Sequence, residues 1–310
     1  MRLKRTKQNF TKSSLAFSAI LIGFLGASCA VSRTKVVRPS GAPLPRQVAT
    51  KQELIDRYNH QAGLVTSLNA GVSMTLTAGS AYTGVIKQYH EINGFILAQR
   101  PASIRVIGQA PVVGTNIFDM VSDGETFRIF IPSQHKFIVG PARLQRQSAK
   151  PIENLRPQHL TGAVFWDAIP DRAPVLIEEA TDESTRYYVL TVVRAGDSSA
   201  DATADWEIVQ RIWFDRVDLS VARIETFEPG GKLGSDVSYS VWDVFGDIGY
   251  PRQIVLSRPD NDYKLQIGVK KVTFNETITA DRFVLQQPPG TELVNAGEEP
   301  QQPKPGEQKP

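Results

Sequence analysis

The sequence predicts a mainly β (α+β) protein: a single large antiparallel sheet curled into a half-open β-barrel, with an N-terminal helix and a helical lid insertion. About a dozen strand patterns follow one another without the regular strand–helix alternation of parallel sheets. One helical pattern precedes them, and a proline-containing stretch interrupts them at 141–173. A sheet of that size must curl or close. Because few helices are predicted to cover the sheet, we expect a half-barrel whose opening is filled by these helices.

The first predicted element is a helix at about 50–66. Thr50 can cap it, and Glu53 stands three residues on, as in a capping box. The apolar residues Leu54, Ile55, Tyr58, Ala62 and Val65 recur at helical spacing and give the helix one apolar face. This face needs a surface to pack on, which the sheet would supply.

Alternating apolar residues then mark the strands of the first half, at 71–77, 82–91, 95–98, 104–107, 116–121, 126–131 and 137–139. Asn93-Gly94 is a typical hairpin signal and predicts a turn before the strand at 95–98. Asp123-Gly124 predicts a second hairpin turn, between 116–121 and 126–131.

The strand pattern breaks at 141–173, where prolines divide the chain into short pieces. The segment 157–166 is helical in pattern and holds a group of apolar residues, Leu160, Val164, Phe165 and Trp166. We interpret the stretch as a lid over the barrel opening, closed by these four side chains. Strands resume at 175–177, 187–193, 206–214, 221–227, 237–244, 253–256 and 265–274.

The N-terminus has the three parts of a secretory signal. Basic residues up to Lys12 precede an apolar run at 15–25, and the small residues Gly26-Ala27-Ser28 precede Cys29. The apolar run is too short to span a bilayer, which takes ~20 residues. A cysteine at this point resembles the lipobox of bacterial lipoproteins. The resemblance implies cleavage before Cys29 and lipid on its sulfur. The alternative is an ordinary signal peptide followed by a chance cysteine.

Charge and cysteine content exclude two classes of function. The chain of 310 residues has a formal charge of +3, but five of its 35 basic residues lie in the segment 1–28, which has no acidic residue. The mature chain would carry 30 basic against 32 acidic residues, without the basic excess that nucleic-acid binding requires. With one cysteine, it forms no intramolecular disulfide and no cysteine-based zinc site.

These patterns divide the chain into four parts. Residues 1–28 are a lipoprotein signal peptide, and 29–49, with three prolines, are a lipidated tether. Residues 50–294 are the half-barrel domain. The tail, 295–310, is rich in Pro, Gln and Glu and is expected to be disordered.

Over roughly 50–294 the order of elements resembles the LolA/LolB lipoprotein-carrier superfamily. The matching stretches are Gly94–Pro101, Val121–Gly124, Phe130–Pro132, Phe214-Asp215, Arg223–Glu225, Tyr250-Pro251, Ile254, Asp281–Phe283 and Pro289-Gly290. The resemblance implies an acyl chain or a lipoprotein as cargo, carried toward the outer membrane. The residue after the cysteine is Ala30 rather than Asp, which by the same resemblance favours the outer membrane, facing the periplasm.

No motif for covalent chemistry is present: there is no phosphate loop, no Gly-x-Ser-x-Gly elbow and no His-Glu-x-x-His. The four histidines lack metal-ligand spacing. We therefore predict a binding protein without catalytic residues, metal or cofactor. Arg100, Arg105 and Arg128 lie on adjacent predicted strands. They face either solvent, which we favour, or the cavity rim, where they would reach an acyl ester.

Two functions are favoured at this stage, and a hydrolase with an unrecognised site is a third alternative. In the first, the protein binds lipid acyl chains in an apolar cavity and takes part in lipoprotein or lipid transfer. In the second, it is a structural or interaction lipoprotein of the cell envelope, with a barrel filled by side chains and no lipid cargo.

We expect Cys29→Ser to abolish lipid attachment, because the thiol is the group that receives diacylglycerol. Labelled fatty acid should be incorporated into the wild-type protein and not into the variant, which should persist as uncleaved precursor or be released. Membrane association of a mature-sized variant, together with no label in the wild type, would contradict the prediction. Recovery of the wild type only in the inner membrane would contradict the predicted outer-membrane location.

Overall fold

The computed structural model describes residues 45–80, 84–142, 156–182, 185–196 and 206–296. The predicted signal peptide, Cys29, part of the predicted lid (143–155) and the end of the tail lie outside the described residues. Within the described part, no helix has the length and apolar character needed to cross a membrane.

The predicted N-terminal helix is confirmed as α1 (Lys51–Leu64). Thr50 caps it: the Thr50 hydroxyl accepts a hydrogen bond from the backbone N–H of Glu53 at 3.3 Å, and the Glu53 carboxylate accepts one from the Thr50 N–H at 2.7 Å. The predicted capping box is therefore present. Leu54, Tyr58 and Ala62 are the buried residues of the helix and form its contact with the sheet.

The described residues contain fifteen strands and one further α-helix, α2 (Pro157–Val164). The strands are β1 (Ser67–Ser80), β2 (Val85–Gln88), β3 (Ile92–Gln99), β4 (Ser103–Gln109), β5 (Asn116–Ser122), β6 (Thr126–Ile131), β7 (Lys136–Pro141), β8 (Val175–Thr181), β9 (Arg186–Ala195), β10 (Trp206–Asp215), β11 (Val221–Glu228), β12 (Lys232–Phe245), β13 (Ile248–Arg258), β14 (Tyr263–Phe274) and β15 (Glu292–Asn295).

All these strands belong to one sheet, ordered β15-β7-β6-β5-β4-β3-β1-β14-β13-β12-β11-β10-β9-β8, with β2 paired to β1. Neighbouring strands are antiparallel except β15, which runs parallel to β7. The first and last long strands, β1 and β14, pair from Leu68↔Phe274 to Ala78↔Tyr263 and join the two halves. The sheet does not close, because β8 and β15 remain its edges. The predicted half-open, curled sheet is confirmed, with one parallel pair at an edge.

The predicted turn at Asn93-Gly94 is wrong, because both residues lie inside β3. Asn93 pairs with Ser73 and Gly94 with Val72 on β1. A Cβ atom at Gly94 would lie 2.5 Å from the carbonyl oxygen of Ile107 and 2.6 Å from the Met74 Cε. The glycine is thus required for close approach between neighbours, a role that the dipeptide signal does not distinguish from a turn.

The predicted turn at Asp123-Gly124 is confirmed between β5 and β6. Gly124 has a φ of +97°, a region that other residues rarely adopt. The Asp123 carboxylate accepts hydrogen bonds from the backbone N–H groups of Glu125 and Thr126 at 2.9 and 2.8 Å. These bonds fix the turn and lower the pKa of Asp123 against the opposing effect of its burial.

The sheet has two distinct faces. Its inner face packs on α1 and α2 and forms one continuous apolar core. Its outer face carries the residues that alternate with the core residues, such as Arg105 between Ile104 and Val106. The C-terminal segment 275–291 links β14 to β15 at the far edge, and the carbonyl of Arg282 within it accepts a hydrogen bond from Arg105 Nη1 at 3.0 Å. We call it the C-terminal strap, since it crosses the outer face.

We expect residues 50–294 to unfold as one cooperative domain, since the β1–β14 pairing joins strands from both ends of the chain. Limited proteolysis should first trim the segments on either side, and a single denaturant transition should be seen by both fluorescence and circular dichroism. Two separately stable fragments, divided near 141–173 and resolved by gel filtration, would contradict this.

Candidate functional site

The inner face of the half-barrel carries the hydrophobic core of the described part of the fold. Strands from both halves contribute, in rows such as Met74–Ile267–Ile254–Tyr239, which are paired across β1, β14, β13 and β12. All four side chains are at most 5% exposed. An inner surface of this kind is where an apolar ligand would gain most from leaving water.

The predicted lid residues all lie on this inner face. Leu160, Val164, Phe165 and Trp166 are 1%, 5%, 5% and 7% exposed and belong to the same core cluster as the strands. Leu160 and Val164 are on α2, and Phe165 ends it. The described part of the predicted lid therefore rests in the curve of the sheet.

Trp166 lies at the centre of an aromatic cluster. Its ring stacks on Tyr58 of α1, with 5.8 Å between ring centroids and 4° between planes. It meets Tyr239 and Trp242 of β12 edge-on, at 5.1 and 5.9 Å. Aromatic pairs in these geometries contribute ~0.5–1.5 kcal/mol beyond area burial. One side chain thus connects the lid, the N-terminal helix and the second half of the sheet.

Two buried tyrosines hold the end of α2. The hydroxyl of Tyr239 donates to the carbonyl of Ala163 at 3.1 Å, and that of Tyr250 donates to Val164 at 3.0 Å. These carbonyls are among the last of the helix, which have no partner within it. Burial raises the pKa of both tyrosines, so each hydroxyl remains a donor.

The chain after α2 is held to α1 by a reciprocal pair of hydrogen bonds. The side-chain amide of Asn59 donates to the carbonyl of Ile169 at 3.0 Å, and its oxygen accepts from the Ile169 N–H at 2.8 Å. The lid is therefore fixed by a few directed bonds in addition to its apolar contacts.

Arg100 also binds the lid, although the sequence favoured a solvent-facing position. Its guanidinium donates to the carbonyls of Trp166 at 2.6 Å, Val65 at 3.2 Å and Ala62 at 3.3 Å. It lies over the Phe165 ring, 5.1 Å from the centroid. Arg100 thus connects the end of α1 to the end of the lid helix.

A small, partly open cavity lies where α1 meets the end of the lid helix. It measures about 10 Å³ and is bordered by Ala62, Val65, Phe165, Trp166 and Tyr250. This is at the lower limit of space for one water molecule. The side chains of the predicted lid themselves occupy the inner curve.

His159 on α2 is half-buried beside Tyr263, and its Nδ1 lies within hydrogen-bonding distance of the Tyr263 hydroxyl. Burial, followed by the positive charges of Arg258 and Arg156, lowers its pKa to about 3. The histidine is therefore neutral at physiological pH. On the same helix, Gln158 donates to the Ser122 hydroxyl on β5.

The two other predicted arginines lie on the outer face. Arg105 forms a two-point ion pair with Asp119, with Nε–Oδ1 at 3.0 Å and Nη2–Oδ2 at 2.7 Å. Arg128 is half-buried and stands opposite Val121 and Val139. Among the described residues, Arg100 is the one of the three arginines that contacts the lid. Across the described ranges no group of three or more His, Cys, Asp or Glu is placed to hold a metal ion.

A cavity of about 580 Å³ lies on the outer face between β14, β1, β3 and β4. Phe95, Leu97, Ile107, Lys271 and Arg282 are among the residues that line it. Sequence reasoning missed this groove, since these residues come from distant segments and only strand register brings them together.

We expect acid to destabilise the closed lid through His159. Because its pKa is about 3 in the folded protein and ~6.5 in an unfolded chain, only the unfolded state gains a proton as pH falls between these values. Stability from this group is full above pH ~6.5 and falls by at most ~1.4 kcal/mol per pH unit below it. Urea unfolding at pH 7.5 and 5.0 measures the loss, which His159→Gln should reduce. The exposed-histidine control His60→Gln should behave as wild type, and equal losses in all three proteins would contradict the account.

Three solved structures that resemble this fold are a LolA superfamily protein from Nitrosomonas europaea, a DUF1329 family protein from Desulfovibrio piger and a domain named as an outer membrane lipoprotein-sorting protein from Vibrio parahaemolyticus. The first is 12% identical, with 77% of this chain and 99% of that chain covered and a TM-score of 0.44. The second is 12% identical, with 75% of this chain and 95% of that chain covered and a TM-score of 0.46. The third is 9% identical, with 74% of this chain and 94% of that chain covered and a TM-score of 0.43. No family model and no curated protein matches the chain. One of these solved structures belongs to the superfamily that the sequence resembles. At these identities and TM-scores the likeness is one of fold alone.

Proposed function

We propose that this protein is a lipid-anchored envelope protein that takes up an acyl chain on the inner face of its half-barrel, in exchange for the lid. The observation that carries the proposal is the burial of Leu160, Val164, Phe165 and Trp166 in the curve of the sheet. An apolar surface covered by a short segment, rather than by a continuous domain layer, is suited to reversible uncovering.

The energies of the two occupants are comparable. Each methylene of an acyl chain gains ~0.8 kcal/mol on burial, so about a dozen gain on the order of 10 kcal/mol. The four lid side chains gain about 1.5–3 kcal/mol each in the same position. Uptake is therefore a competition between the lid and the acyl chain. The apparent affinity for the acyl chain equals the intrinsic affinity multiplied by the fraction of protein that is open. Because the two burial free energies are similar, the acyl chain can be released as well as taken up.

Anchoring through Cys29 is part of the proposal. The lipidated cysteine would hold the protein on the periplasmic face of the outer membrane. At ~3 Å per residue, the tether 29–49 reaches several nanometres from the lipid surface. Its last described residues bind the domain: Gln47 donates to the carbonyls of Arg216 and Val217 at 2.7 and 3.0 Å.

One end of the sheet is suited to contact with a membrane. Val85 and Ile86 on β2 are 68% and 64% exposed, and Val112 and Val113 in the β4–β5 loop are 95% and 71% exposed. Both segments lie where β1 and β4 end. A contiguous patch of such exposed apolar side chains would be typical of an interaction site. In a membrane-anchored protein, this end would meet the bilayer from which a chain is taken or to which it is given.

The alternative is a structural or interaction lipoprotein with no lipid cargo. The burial of the lid side chains in the core cluster favours it, because these side chains already occupy the inner curve. The two functions predict different amounts of non-covalently bound lipid in protein that is expressed in a bacterial envelope. Mass spectrometry of co-purified lipid should find acyl chains in the carrier and none in the structural protein.

A fluorescent fatty-acid probe tests the exchange directly. We expect Trp166→Gln to weaken lid closure and to raise probe affinity several-fold, at a stability cost of up to ~3–5 kcal/mol for loss of a buried aromatic side chain. The control is Trp206→Gln, since Trp206 is 59% exposed and outside the core cluster. Circular dichroism would verify folding, and Leu160→Ala would serve as a second lid variant. If delipidated wild type and both folded lid variants bind no probe, the inner face is not a ligand site.

A further inference from the structure

The groove on the outer face has an apolar floor that the sheet register creates. Gly71, Phe95 and Ile107 stand opposite one another across β1, β3 and β4, and Leu97 follows two residues along the same face. Phe95 is 41% exposed, an unusual position for a large aromatic side chain on a sheet face. Arg282 of the C-terminal strap also lines the groove.

A β-bulge places two lysines beside this floor. The pairing of β1 with β14 shifts between Gly71↔Lys271 and Val72↔Val269, so Lys270 is the extra residue. Val269 and Val272 both belong to the core, and the two exposed lysines between them share the outer face. Without the bulge, strict alternation would direct one of these lysines toward the core. Lys270 is held by Asn93, whose side-chain oxygen accepts from its Nζ at 2.6 Å.

Gly71 gives Lys271 room to lie across the floor. A Cβ atom at position 71 would stand 3.1 Å from the Lys271 Cε and 3.2 Å from its Cγ. The lysine stem therefore rests flat on the backbone of β1. Any larger residue at 71 would displace it.

The charges of the groove do not cancel. Arg105 is neutralised by its two-point ion pair with Asp119. Within the described ranges, neither Lys271 nor Arg282 forms a salt bridge. Two cationic groups thus border an apolar floor in a space of about 580 Å³, which is in the size range of small-molecule sites.

We propose that this groove binds an anionic amphiphile, with its head group between Lys271 and Arg282 and its acyl chain along Phe95, Leu97 and Ile107. Apolar burial would supply most of the affinity, and the two cations would select an anionic head over a neutral one. A free fatty acid and an anionic phospholipid share this chemistry. The site is open while the lid is closed, so it is independent of exchange on the inner face.

Photo-crosslinking of the full chain, made in a bacterial envelope, tests the proposal. A fatty acid with a photoreactive group on its acyl chain would be added to envelope membranes, and the labelled peptides mapped. We expect label on 92–109 and 264–274, reduced about tenfold by Lys271→Glu and by Arg282→Glu. Lys264→Glu is the matched control, because Lys264 is an exposed lysine of the same strand, seven positions away.

Competition identifies the source of the ligand. If oleate displaces the probe, the natural ligand class is a fatty acid; if only phosphatidylglycerol vesicles do, it is a membrane phospholipid, and either result supports the site. Displacement by inorganic phosphate, label confined to the lid residues 157–166, or equal labelling of wild type and both groove variants would overturn it. Label on the lid alone would still support the inner site, so the two proposals fail separately.

Discussion

A sheet that is curled and apolar on its concave face is stable in water only if something fills the curve. In this protein the filling is provided by apolar side chains of α1 and of the segment from α2 to Ile169, which belong to the core cluster. Trp166 is the residue on which this packing depends most, since it contacts α1 and β12 at once. Hydrogen bonds also hold the end of α2 and the residues that follow it, and their donors are Tyr239, Tyr250, Asn59 and Arg100. These bonds add to the apolar packing of Trp166 and do not replace it.

The same constraint explains why the two faces differ. The inner face is packed with side chains of the core cluster, whereas the C-terminal strap covers part of the outer face. Between the strap and β14 the outer face keeps a groove, and the bulge at Lys270 gives that groove its charge. The sheet therefore has two apolar surfaces of different chemistry. The lid covers the inner face, whereas the groove on the outer face is accessible to solvent.

The sequence was sufficient for features that depend on neighbours along the chain. The capping box at Thr50 and Glu53 and the turn at Asp123-Gly124 are local, and both were predicted correctly. Asn93-Gly94 was mistaken for a turn because the reason for Gly94 is a contact with Ile107 and Met74 on other strands. Arg100 was assigned to solvent, since its carbonyl partners on α1 and the lid lie 35 to 66 positions away. The groove was missed for the same reason, because register between distant strands cannot be derived from local patterns.

Amide hydrogen exchange of the lid, with and without fatty acid, tests most directly whether an acyl chain replaces the lid on the inner face. The Lys271→Glu background would keep the ligand out of the outer groove. Residues 157–166 should exchange faster at saturating fatty acid, while β1 and β14 keep their protection. Unchanged or slower exchange of the lid in protein that has bound the fatty acid would contradict this account.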